Sequence, residues 1–294
     1  MKDSWHSSLR GWRAASAGML AVALWALAGS ASAQIATTKH NLGTTSTQGN
    51  HVTAGTAEIC VFCHTPHGAD VTTANAPPLW NKRLATGAAY TTYATLNSPS
   101  LEGEILPVGS ISVACLSCHD GTQAMDNIIN APGSGGYDVT GGGANGLGYT
   151  WAGTVTVEGL LNSTTVANLG TNLSNDHPIG IQYCGGGLTG ATTVVSGTCR
   201  DTDFNRADVR TASINSNQVF WVETGTNDNL RTRTDLPLYT RAFTSATGPS
   251  VECGTCHDPH VSDGQTGPNG LTAGATFLRI SNASSAVCTA CHVK

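Results

Sequence analysis

The chain has 294 residues with a formal net charge of −5, and only 11% of them are charged, against about 25% in ordinary domains. An acidic, weakly charged surface excludes the basic footprint of a nucleic-acid binder and favours self-association over colloidal repulsion. Leu, Ile, Val and Phe make up about 20% of residues 34–294, the edge of the disorder-prone range, so the polypeptide has little material for a conventional core.

The N-terminus reads as an export signal. Lys2, Arg10 and Arg13 precede an apolar run from Ala14 to Ala28, and Ala31-Ser32-Ala33 supplies small residues for cleavage. Residues 1–33 are thus expected to be a signal peptide and 34–294 one exported domain. No second apolar stretch is long enough to span a bilayer. Two motifs follow in the first half: Cys60-Val61-Phe62-Cys63-His64 and Cys115-Leu116-Ser117-Cys118-His119. Between His119 and Cys253 lies an insert rich in Gly, Thr, Asn and Ser, including Gly133–Gly136 and Gly141–Gly143, whose composition favours loops and turns. Strand candidates are Thr154–Val157, Val219–Glu223 and Thr276–Ile280, and Leu79–Leu96 is a helix candidate. Cys253-Gly254-Thr255-Cys256-His257 and Cys288-Thr289-Ala290-Cys291-His292 close the chain.

Cys-x-x-Cys-His is the attachment signature of haem c: both thiols bond the porphyrin edge and the adjacent His ligates the iron. Zinc bound by four thiolates is the alternative, but zinc does not require a His after each second Cys. Four covalent haem c groups are therefore expected, with thioether bonds at Cys60, Cys63, Cys115, Cys118, Cys253, Cys256, Cys288 and Cys291 and proximal ligands His64, His119, His257 and His292. The sixth ligand decides between catalysis and electron transfer. Met125 is the sole methionine outside the leader, so distal ligands fall to His40, His51, His67, His177 and His260. His67 and His260, each three residues beyond a proximal His, face the same way as that His and are expected to serve a neighbouring haem. His177 precedes a stiffening Pro178, with Asp176 placed to orient its ring. His40 is the first choice for the last position and His51 the alternate. Five spare His for four irons leave no evident open position, which argues against a multihaem reductase of nitrogen or sulfur oxyanions.

Cys184 and Cys199 have no adjacent His, and in an exported chain they are expected to form a disulfide. The fold expected from all this is mostly coil and turn, with short helices at the haem motifs and a few short strands, wrapped around a haem stack that serves as the core.

Lys39-His40-Asn41-Leu42, Ile59-Cys60-Val61-Phe62-Cys63-His64-Thr65-Pro66-His67-Gly68-Ala69, Asn175-Asp176-His177-Pro178-Ile179-Gly180 and the terminal Cys-His motifs resemble exported multihaem cytochromes with doubled Cys-x-x-Cys-His motifs. The chain is most similar to the tetrahaem outer-membrane cytochrome E type, whose members polymerise into extracellular conductive filaments. The resemblance implies bis-His haems in alternating stacked and T-shaped pairs, a homopolymer as partner, redox donors and extracellular acceptors, and one axial His given by the next protomer. Here that donor would be His40 or His51. A monomeric periplasmic tetrahaem shuttle is the alternative.

Overall fold

A computed structural model describes residues 34–74, 76–133, 136–138, 146–191, 193–225, 229–261 and 276–293. The expected signal peptide and the Gly141–Gly143 run lie outside these residues.

The insert between the second and third motifs holds a sheet. β1 (His51–Ala54) pairs antiparallel with β2 (Thr150–Ala152). β3 (Ile181–Gln182) is followed by a small hairpin of β4 (Leu188–Ala191) and β5 (Val194–Gly197). β6 (Val209–Ile214), β7 (Asn217–Val222), β8 (Leu236–Ala242) and β9 (Thr247–Val251) join β3 in a five-stranded antiparallel sheet of order β3-β9-β8-β7-β6. Three of the six residues of β6, Val209, Thr211 and Ile214, are β-branched, which suits a pleated surface. The β6–β7 turn is Asn215-Ser216, both at positive φ (49° and 63°), the conformation of a two-residue turn whose twist matches its flanking strands.

One face of this sheet is apolar. Tyr183, Leu188, Val195, Val209, Phe220, Val222, Leu236, Leu238 and Val251 form a continuous buried cluster with the half-cystine Cys184. Burying each large side chain contributes about 1.5–3 kcal/mol. Cys184 and Cys199 are bonded, with Cα atoms 5.2 Å apart, and the bridge closes the base of the β4–β5 hairpin onto that cluster.

This architecture corrects the expected coil-dominated chain wrapped around a haem stack. The fold is β-rich, and its sheet carries a side-chain core of its own. A composition of Thr, Gly, Asn and Ser fits loops, but it fits a turn-rich antiparallel sheet equally well. Of the strand candidates, Val219–Glu223 overlaps β7, whereas 154–157 and 276–280 contribute only the bridges Val155↔Leu161 and Leu278↔His257. Leu79–Leu96 holds two short 3-10 turns, Gly87–Ala89 and Tyr93–Thr95, in place of a longer helix.

Each motif has a helical segment: a 3-10 turn over Cys60–Phe62, then α1 (Ser110–His119), α2 (Cys253–Cys256) and α3 (Ala286–Cys291). β9 runs through Glu252 directly into α2, so the sheet carries the third motif. Two smaller apolar clusters flank the first two motifs: Leu42, Val52, Val61, Phe62, Met125 and Ile128 in one, and Tyr90, Val108, Val113, Leu116 and Leu173 in the other. Met125 is thus buried among aliphatic side chains.

Candidate haem-attachment sites

In a helical turn, residues i, i+3 and i+4 share one face, so Cys-x-x-Cys-His presents two sulfurs and an imidazole to one plate. The chain builds that turn at every motif. The His N–H donates to the carbonyl of the first Cys in the first (2.7 Å), third (3.1 Å) and fourth (2.8 Å) motifs, and the second motif lies within α1.

A second segment clasps the turn at three motifs. Around His64, Thr65 N–H donates to Leu79 O (2.9 Å) and Asn81 N–H to Cys63 O (2.8 Å). Around His257, Asp258 N–H donates to Phe277 O (2.9 Å) and Arg279 N–H to Cys256 O (2.9 Å). Around His292, Val293 N–H donates to Asp203 O (2.8 Å) and Asn205 N–H to Cys291 O (2.7 Å). A side chain from each clasp then binds the turn itself: Asn81 Nδ2 to Val61 O (2.7 Å), Arg279 Nε to Gly254 O (3.0 Å) and Asn205 Nδ2 to Ala290 O (3.4 Å). Leu79 and Phe277, matching positions of the first and third clasps, both adopt the left-handed conformation, with φ of 56° and 64°. Such conformations are costly for residues with a side chain and persist where the surroundings demand them.

Backbone carbonyls also set three of the four imidazoles. Nδ1 lies 2.9 Å from Pro78 O in His64, 2.8 Å from Ala167 O in His119 and 2.9 Å from Thr276 O in His257. A carbonyl accepts only, so Nδ1 carries the proton and Nε2 keeps its lone pair for a metal. Burial lowers the pKa of His64 and His257, which holds both rings neutral and able to ligate. Burial pushes the thiols upward: Cys63 to about 12, Cys256 to about 11 and Cys291 to about 12. Among the described residues, no group of three or more His, Cys, Asp or Glu converges as a zinc tetrahedron would need.

The motifs follow one another through space in chain order. Cys63 lies beside Cys118, Cys115 shares a hydrogen bond with Cys253, and Cys256 neighbours Cys288 and Cys291.

Two distal candidates lie close to proximal imidazoles. The ring centres of His64 and His260 are 6.2 Å apart with planes at 21°. Those of His119 and His40 are 6.1 Å apart at 76°. A metal–imidazole bond is about 2.0–2.1 Å and the ring centre lies roughly 1.1 Å beyond the nitrogen, so two imidazoles on opposite faces of one metal have centres about 6.3 Å apart. Both pairs fit that spacing. His260 Nδ1 faces Asp258 Oδ1 at 3.1 Å, and that hydrogen bond raises its pKa. Asp258 is itself tied to Arg279 at 3.1 Å. His40 is stacked on Phe277 at 4.1 Å and faces the Pro259 carbonyl. Burial first, and then His119, lower its pKa to about 4.

The other candidates are not paired with a proximal imidazole in this way. His67 sits on an exposed turn whose carbonyl accepts from Thr65 Oγ1 (2.8 Å) and Asn130 Nδ2 (2.9 Å). His177, exposed, faces Pro178 O through Nδ1 (3.0 Å) on the chain leading into β3. His51 lies in β1 with Nδ1 3.1 Å from Gly49 O. Phe204 packs on His292 at 4.4 Å.

Sequence reasoning missed the clasps, the buried Lys82 and the buried Glu252. Aligning Cys63-His64-Thr65-Pro66-His67 with Cys256-His257-Asp258-Pro259-His260 and reading onward to Leu79-Trp80-Asn81 and Phe277-Leu278-Arg279 would have shown two of the clasps as a repeat. Searches of family models, curated proteins and solved structures found no match for this chain. No helix among the described residues is long and apolar enough to cross a membrane.

Proposed function

We propose that this chain is an exported tetrahaem c-type cytochrome that conducts electrons over long distances as an extracellular homopolymer. Bound haem supplies a one-electron iron couple. The chain's own residues would fasten it through two sulfurs per motif, hold the imidazoles of His64, His119 and His257 in the Nδ1-protonated tautomer, and pack apolar clusters beside the first two motifs. The observation that carries the reading is the spacing of the two opposed imidazole pairs, 6.2 and 6.1 Å, set by a fold whose motifs neighbour one another in sequence order. Two axial imidazoles leave no position for a substrate, which favours electron transfer over catalysis.

The polymer rests on weaker ground. His40 is engaged against His119 within one chain, so of the two N-terminal donors His51 is the one proposed to reach a neighbouring copy. A head-to-tail contact that does not close makes a filament, and a metal–ligand bond across it would lose strength as the imidazole protonates.

Expression with a cytochrome c maturation system tests both parts. The intact mass is expected to rise by four haems that survive denaturation, and electron microscopy of secreted material is expected to show filaments. A mass without haem refutes the cofactor. Four haems on dispersed monomers would leave electron transfer standing and remove the polymer.

A further inference from the structure

Lys82 follows the first clasp directly and is fully buried. Its ammonium donates to the carbonyl oxygens of Ala124 (2.8 Å), Asn127 (2.8 Å) and Met125 (3.3 Å). Three acceptors call for three N–H donors, which the protonated amine has and the neutral amine lacks. Burial lowers the pKa of this amine, and the three carbonyls oppose that by holding its protonated form, whose charge lies in a medium that screens it poorly. Asn81, the residue before it, binds Cys63 O, and Met125, whose carbonyl it holds, packs with Cys63 and Cys118; Asp126 and Asp120 are the carboxylates that act on it. Those carboxylates have other partners: Asp126 accepts from Tyr149 N–H (3.1 Å), and Asp120 from Tyr90 Oη (2.8 Å) and Thr122.

The third motif has a buried cation too, Arg279, but it is paired with Asp258 at 3.1 Å. Arg241, near the junction of the second and third motifs, is likewise paired, with Glu252. Among these cations Lys82 alone is held by carbonyls without a carboxylate at its tip, and it ties the segment that clasps Cys63 to Met125, which packs against Cys63 and Cys118.

Resting on the tetrahaem reading above, we propose that Lys82 is a fixed internal charge that raises the reduction potentials of the haems at the first and second motifs above those at the third and fourth. A cation near an iron favours the reduced state, which carries one less positive charge. The chain would then be electrically polar, with electrons held preferentially at its N-terminal half.

The test is a potentiometric titration of the full-length, haem-loaded protein, with haems assigned by the paramagnetically shifted signals of their axial His rings. Lys82→Gln is expected to weaken reduction of the first two haems by about tenfold, which is 59 mV for one electron, and to leave the other two within about a third of that. Lys82→Arg is expected to restore the wild-type potentials. Lys82→Gln protein with four haems and unchanged potentials overturns the proposal. If no neutral variant loads four haems, the order of reduction in the wild type decides: the haems of His64 and His119 are expected to reduce before those of His257 and His292, and the reverse order overturns it. Wild-type protein without haem would instead sink the underlying reading.

Discussion

Glu252 joins the second motif to the third, and removing it should unfasten them. Its side chain is fully buried and accepts hydrogen bonds from Ser112 Oγ (2.6 Å), Gly109 N–H (3.4 Å) and Arg241 Nη1. Ser112 Oγ in turn accepts from Cys253 N–H (2.9 Å). One carboxylate thus fixes the start of α1 against the start of α2, where Cys115 and Cys253 meet. Glu252→Ala leaves a buried hydroxyl, a helix-end N–H and a guanidinium without their partner. Breaking a buried ion pair by removing one member costs about 3–5 kcal/mol. The Arg241 side chain is 23% exposed and keeps some hydration, which places the expectation near the lower end, about 3 kcal/mol. In a chain of this size that corresponds to a fall in Tm of about 6–12 °C. Thermal unfolding followed by far-ultraviolet circular dichroism reads it directly. A fall under 2 °C would refute the claim that this network holds the two motifs together.

Other consequences are as testable. His260→Ala and His40→Ala should each create one high-spin haem of four that binds carbon monoxide when reduced; unchanged low-spin spectra would refute the pairings with His64 and His119. Removing the Cys184–Cys199 bridge, which spans 15 residues, should cost about 3 kcal/mol in denaturant unfolding, and a loss below 1 kcal/mol would contradict its role at the sheet. Leu236→Ala, at a fully buried position in β8, should cost about 2–5 kcal/mol, and haem-free protein should keep a β-type dichroism signal. Asp70 gives a pH signature. Burial alone would raise its pKa, but hydrogen bonds from Thr73, Thr72 and Arg83 outweigh burial and lower it from 3.8 to about 2. A folded-state pKa below the unfolded one contributes stability above the unfolded value and loses it as pH falls towards the folded one. The stability difference between wild type and Asp70→Asn should therefore shrink between about pH 4 and pH 2, and a constant difference would contradict the assignment.

What the sequence disclosed was whatever is local. The turns at Cys60, Cys253 and Cys288 follow from the i, i+3, i+4 spacing of sulfurs and imidazole, and the Cys184–Cys199 pairing follows from the absence of other partners. The sheet stayed hidden because Val209–Ile214 is diluted by Thr, Ser and Ala, and its turn is Asn-Ser where Asn-Gly would have been the plain signal. The opposition of His64 to His260, and of His119 to His40, depends on tertiary packing between distant segments, which no periodicity encodes. Lysines are almost never fully buried unless paired, and the three carbonyls around Lys82 explain its burial.

The most direct measurement of the central claim is a density map of the purified protein at a resolution that shows iron. Four iron centres are expected, each at a Cys-x-x-Cys-His turn, with one midway between His64 and His260 and one midway between His119 and His40. A map with empty motifs, or with those imidazoles on different irons, would contradict it.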